Sequence, residues 1–143
     1  VRILGGDVVG VLRGKCGYEE RNIHFLGYGQ GGMLALFLAA SQLVEYGGCI
    51  SVGGSLPSSS ASSSSSSIKT KSPTPILICG GNSNTKITKS AVENVKARFR
   101  DVEYVRWERG GDGMPERREE MLPLMRFWGR RLRMGVPEGS FEV

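Results

Sequence analysis

Asn22-Ile23-His24-Phe25-Leu26-Gly27-Tyr28-Gly29-Gln30-Gly31-Gly32-Met33-Leu34-Ala35-Leu36 is the stretch that decides the fold. Its first seven residues form a short apolar run, the pattern of a buried strand. From Gln30 to Tyr46, Met33, Leu36, Phe37, Ala40, Leu43 and Val44 recur at helical spacing, with Leu34 and Leu38 on the other side. A helix that is apolar nearly all round is expected at the centre of a fold rather than at its rim. Strand and helix meet through Gly27, Gly29, Gly31 and Gly32. Such a junction aims helix N–H groups past a strand tip, where anions and oxyanions are held.

Outward from this unit the chain alternates. Arg2–Arg13 places Leu4, Val8, Val11 and Leu12 on one helical face. Gly47-Gly48 suits the left-handed cap of the central helix. Cys49–Val52 reads as a second strand, closed by Gly53-Gly54. Ser58–Ser67 is serine throughout except Ala61, and Lys69–Pro75 adds Lys, Thr and Pro. Residues 57–74 are therefore expected to be a disordered surface insertion without a core of its own. Pro75–Cys79 is a third strand, Thr88–Arg100 an amphipathic helix through Ala91, Val92, Val95 and Phe99, and Val102–Trp107 a fourth strand. Pro115 suits a first helical turn. Met121, Leu122, Met125, Trp128 and Leu132 then mark the apolar stripe of a closing helix, with a kink expected at Pro123. This alternation predicts an α/β fold: one domain over residues 1–143, with a mostly parallel sheet of about four strands flanked by helices. The first strand belongs in a sheet centre. A neighbour is expected on its free side, supplied by strands N-terminal to Val1 or by a partner protein at the exposed edge.

Composition excludes several classes. The chain has 143 residues, with Lys+Arg 19 against Asp+Glu 14 and a net charge of +5. From Arg98 to Arg133 the arginines are interleaved with carboxylates, which describes a salt-bridged surface, so no nucleic-acid partner is expected. No apolar run approaches the roughly 20 residues that span a bilayer. No secretory leader is visible at Val1–Leu4. Three cysteines without a CxxC pair argue against a disulfide scaffold or a structural zinc site and for a reducing, cytoplasmic location. No metal or cofactor is expected.

Two templates fit the glycine junction. Gly27, Gly29 and Gly32 satisfy the G-x-G-x-x-G dinucleotide fingerprint. That fingerprint also needs an acidic residue after the next strand, where the chain reads Ser51-Val52-Gly53-Gly54, and Glu45 belongs to the helix end. The other template is the nucleophile elbow G-x-S-x-G, with Gly29 where the serine would stand.

The flanking residues favour the elbow. Leu26–Leu36, LGYGQGGMLAL, resembles the GFSQGG elbow of the acyl-protein thioesterase and carboxylesterase (phospholipase/carboxylesterase) family of α/β hydrolases. Pro75–Ile87, PILICGGNSNTKI, resembles that family's strand and loop reading HGDxDPxV. Glu103–Phe127 resembles its last strand, histidine loop and closing helix, particularly at Tyr104, Glu108 and Glu120-Met121. The likeness covers most of the chain, corresponding to roughly the C-terminal half to two-thirds of a family member.

This resemblance implies a partial α/β-hydrolase fold and three triad positions. Gly29 stands for the nucleophile and Asp112 for the histidine. Ser83 lies nearest the acid slot, in a loop from Gly80 to Lys86 that carries no carboxylate. The Gln30 N–H stands for one oxyanion donor. The sole imidazole, His24, sits five residues before Gly29, about 16 Å away along a strand. Cys16, Cys49 and Cys79 lack an evident base, and Ser55 reads as a loop serine. The expectation is a pseudoenzyme that has kept a binding role toward an acyl chain, an ester or an acylated protein. The alternatives are a slow ester or thioester hydrolase of the protein-depalmitoylating type using non-standard residues, or a dinucleotide-binding module.

Overall fold

A computed structural model describes residues 8–41, 44–56 and 70–133. Helix α1 spans Val9–Gly14, and a 3-10 turn at Glu20–Asn22 leads into β1, His24–Tyr28. Helix α2 is Gln30–Ser41, β2 is Gly48–Val52, and β3 is Ile76–Gly80. Helix α3 spans Lys89–Arg98, β4 spans Val102–Arg106, and α4 spans Arg118–Arg133. The four strands form one parallel sheet in the order β1-β2-β3-β4. The register sets Phe25 beside Cys49, Cys49 beside Ile76, and Ile76 beside Val102.

Strand side chains alternate between faces, and both faces of β2 and β3 are covered. On one face Cys49, Ile76 and Ile78 meet Ala35, Leu36 and Ala39 of α2 and Val92 and Val95 of α3. On the other, Ile50, Val52, Leu77 and Cys79 meet Trp107 and Leu124 and Phe127 of α4. Every residue of β2 and β3 is therefore buried. Thr88 caps helix α3: its hydroxyl accepts the Ala91 N–H at 3.2 Å and satisfies one of the orphan donors of the first turn.

Several sequence expectations are corrected. The central helix is described from Gln30 to Ser41, and Val44–Tyr46, which were expected to belong to it, are not helical. Thr74 takes over the backbone there: its hydroxyl accepts the Tyr46 N–H at 3.1 Å and donates to the Val44 carbonyl at 3.4 Å. Gly47 is tightly packed, since a Cβ on it would lie 2.5 Å from the Arg21 carbonyl oxygen. The serine tract 57–69 lies outside the described residues, but its expected C-terminal end does not behave as an excursion. Ser72 and Thr74 are buried, and the Ser72 hydroxyl donates to the Ala39 carbonyl at 2.9 Å. In α1, Leu4 lies outside the described residues; Val9 is buried while Val8 and Val11 are exposed.

The closing helix is rotated from its predicted stripe. Leu124 and Phe127 are buried, with Met121 and Trp128 packed beside them, whereas Met125 is 58% and Leu132 61% exposed. Arg131, one turn beyond Phe127, takes the inner position and donates to the Gly47 carbonyl at 2.8 Å and to Glu45 at 3.0 Å. Pro123 lies in the second turn, and the helix continues through it. Strand β1 was expected to be buried, yet Leu26 is 50% and Tyr28 56% exposed, because β1 is an edge of the described sheet. Met33 and Phe37 of α2 are exposed. Among the described residues no helix is long and apolar enough to cross a membrane, and no group of three His, Cys, Asp or Glu could hold a metal ion.

Candidate active site

Parallel strands bring their C-terminal ends, and the loops that follow them, to one side of the sheet. Here the turn after β1 and the loops after β2, β3 and β4 converge on a crevice of about 500 Å³. Tyr28, Gly29, Gly53, Asn84, Lys86 and Asp112 are among the residues that face it.

The turn after β1 has the backbone of an elbow. Gly29 adopts φ +57°, the left-handed region, between the last residue of β1 and the first of α2. Its N–H donates to the Val52 carbonyl at 2.8 Å, and its carbonyl accepts the Met33 N–H at 3.1 Å. A Cβ at position 29 would meet nothing within 4 Å, so a side chain there would project into open space. Gln30 opens α2, and its N–H is one of the donors that a helix start leaves without an intrahelical acceptor. The turn thus has the backbone shape of an elbow, with no side chain at its centre.

The other two loops are zipped together. Trp107 N–H donates to the Gly80 carbonyl at 2.8 Å, Asn82 N–H to the Arg109 carbonyl at 2.9 Å, and Gly111 N–H to the Ser83 carbonyl at 2.8 Å. Asp112 locks them. Its Oδ1 accepts from the Gly81 N–H at 3.0 Å and from the Thr85 hydroxyl, and its Oδ2 accepts from the Lys86 N–H at 2.7 Å. Burial pushes the Asp112 pKa up. Donation from Thr85, Gly81 and Lys86, with the Lys86 charge, outweighs that and holds it below the ordinary 3.8. Arg109 braces the same loop by donating to the carbonyls of Gly113 and, at 2.9 Å, Met114. It also pairs with Glu120 at 3.0 Å and lies 4.9 Å over the Trp107 ring. The carboxylate at position 112 is consequently a cross-link between two loops, with both oxygens engaged.

Of the positions inferred from the sequence, Gly29 and Asp112 share the crevice. Ser83 is exposed and pairs its backbone with Gly111, while its neighbour Asn84 lines the crevice at φ +49°. Sequence reasoning passed over Asn84. The available signal was register: with Gly81 and Ile87 set on the Gly and Val of HGDxDPxV, the second Asp of that pattern falls on Asn84. Asn is also among the few residues that tolerate the left-handed region.

Alternative nucleophiles fare poorly. Cys49 and Cys79 are fully buried, and desolvation pushes both thiols up to about 12, which removes thiolate at neutral pH. Cys16 is exposed near α1, and Ser55 lies half-buried after β2. His24, the only histidine, sits at the N-terminal end of β1, opposite the crevice. Its ring lies against Gly47, and its buried Nδ1 has no hydrogen-bond partner among the described residues.

Burial first, and the Arg131 charge second, lower the His24 pKa from 6.5. Between the folded value and 6.5 the unfolded chain binds the extra proton, so stability rises with pH across that window and lies on its low plateau beneath it. Urea midpoints are expected to be higher at pH 7.5 than at pH 5, and His24→Gln should flatten the difference. An unchanged slope in the variant would remove His24 as the cause.

Residues 12–118 match the phospholipase/carboxylesterase family. Among curated proteins, the chain is 32% identical over 77 residues to "Putative esterase NocK" of Nocardia uniformis subsp. tsuyamanensis, covering 54% of this chain and 21% of that protein. Among solved structures, Arabidopsis thaliana SOBER1 superposes with a TM-score of 0.66 at 22% identity, over 90% of this chain and 62% of that one. The Bacillus cereus carboxylesterase superposes with a TM-score of 0.67 at 14% identity, over 90% of this chain and 58% of its own. The chain therefore spans about a fifth of the curated relative and about three-fifths of these structural neighbours. The match runs through the elbow and both zipped loops: the chain belongs to the phospholipase/carboxylesterase family, on a partial α/β-hydrolase fold.

Proposed function

We propose that this family member is a pseudoenzyme, a binding protein whose crevice has lost ester hydrolysis. One observation carries the reading: Gly29, Asn84 and Asp112 share the crevice, and the sole imidazole lies at the opposite end of β1. An acyl transfer needs a nucleophile, a base within hydrogen-bond reach, and a group that orients the base. Glycine supplies no nucleophile, and Asn84 no carboxylate. Asp112 already accepts from three donors and sits in the place of a base without an imidazole's reach or pKa. What survives is the Gln30 N–H, the helix start behind it and the crevice, which suit an acyl chain, an ester or an acylated protein. Three free thiols fit a cytoplasmic setting.

The test is labelling with a fluorophosphonate probe together with hydrolysis of a p-nitrophenyl ester. No labelled residue is expected, with turnover no more than about a thousandfold above water. Gly29→Ser alone is expected to leave turnover at that level, because base and acid are still missing. The family assignment favours the second reading, a slow ester or thioester hydrolase. A probe adduct on a serine or cysteine of the unmodified chain would establish it and sink the pseudoenzyme, and ordinary esterase rates from Gly29→Ser alone would overturn the loss of base and acid.

A further inference from the structure

A second cavity, of about 620 Å³, lies on the far side of the loop that follows β3, between α3 and β4. Its volume is in the range of small-molecule sites. Helix α3 contributes Lys89, Val92, Glu93 and Lys96, spaced three, four and seven residues from the first and therefore on one face. Strand β4 contributes Tyr104 and Arg106, two residues apart and on one face of the sheet. Val92 and Ile87 are buried and form an apolar floor, while the Tyr104 ring is 37% exposed. Arg106 Nη2 donates to the Asn82 carbonyl at 3.2 Å, which holds the guanidinium at the groove and leaves its other donors available. Lys89 and Lys96 have no ion-pair partner among the described residues. Three cations thus face one carboxylate around an aromatic and apolar floor.

We propose that this groove is a binding site for an aromatic phosphate monoester, with the ring seated on Tyr104 and the apolar floor. The phosphate is held by Arg106 and the two lysines. A dianion matches the excess of positive charge better than a monocarboxylate does, and a guanidinium recognises phosphate oxygens in pairs. The site is independent of the crevice reading, since it uses none of Gly29, Asn84 or Asp112.

Isothermal titration of the full chain with phenyl phosphate tests it. Saturable one-to-one binding is expected, with inorganic phosphate about tenfold weaker for want of the ring. The double variant Lys89→Ala/Lys96→Ala and the single variant Tyr104→Ala are each expected to weaken phenyl phosphate about tenfold. Lys15→Ala, at an exposed lysine after α1, should leave the affinity unchanged. All these side chains are exposed, so thermal unfolding should confirm intact folds. The absence of binding at about 10 mM phenyl phosphate, a ligand range in which even millimolar affinities register, would overturn the proposal. So would equal affinities for phenyl phosphate and inorganic phosphate, or an affinity indifferent to the Lys89, Lys96 and Tyr104 changes.

Discussion

Replacing Asp112 with alanine is expected to lower stability by about 3 kcal/mol, the cost of removing a charged acceptor from several donors at once. The Gly81 N–H, on a buried residue, and the Lys86 N–H would lose their acceptor, and the Thr85 hydroxyl its partner. For a chain of this size that loss corresponds to a fall in Tm of roughly 10 °C. Asp112→Asn should recover little, because the amide places an NH₂ donor where a backbone N–H already donates. The acid limb gives a second measurement. Since the folded pKa is held below 3.8, the stability that Asp112 contributes is present above the unfolded value and lost as pH falls through the folded one. Wild type and Asp112→Ala should therefore converge in urea midpoint toward low pH. Parallel curves, or a loss below about 1 kcal/mol at neutral pH, would mean that the cross-link carries no weight in the fold.

The elbow makes the second large prediction through a contrast between two glycines. A Cβ on Gly27 would lie 2.2 Å from the Gly31 carbonyl oxygen, 2.4 Å from its carbon and 2.5 Å from the Gly32 nitrogen. All three are backbone atoms of α2, so no side-chain rotation relieves the clash. Helix α2 would have to retreat from β1, carrying Leu36 and Ala39 out of their contacts. Gly27→Ala is expected to cost about 3 kcal/mol or more, the upper range of overpacking. Gly29→Ala meets open space and pays only for a left-handed backbone, about 1 kcal/mol. Urea denaturation of both variants checks the ordering. Equal losses would show that α2 does not press tightly on β1. The contrast matters for function too: position 29 has room for a side chain, so glycine there is not imposed by packing.

Much of the fold was legible because its signals are local. The periods of two and 3.6 residues located all four strands and the helices at Gln30–Ser41, Lys89–Arg98 and Arg118–Arg133 to within a few residues. The glycines at the elbow are equally local. The rotation of α4 was not legible. Met125 and Leu132 compete with Leu124 and Phe127 for the inner face, and the choice is made by Arg131 reaching Gly47 and Glu45 across more than 80 residues. The expected run of α2 through Tyr46 fails for the same reason, since Thr74 captures the backbone at Val44 and Tyr46 from another part of the chain.

The sequence by itself determined the order of strands and helices, the elbow, and glycine at its centre, since periodicity and side-chain identity need no partner to be read. Only the tertiary structure decided that Asn84 rather than Ser83 turns into the crevice and that Asp112 is a clasp between loops. It decided as well that Lys89, Lys96 and Arg106 gather around one groove. These depend on contacts closed over 26 to 31 residues in the case of Asp112, where chain spacing carries no information and packing selects the partners.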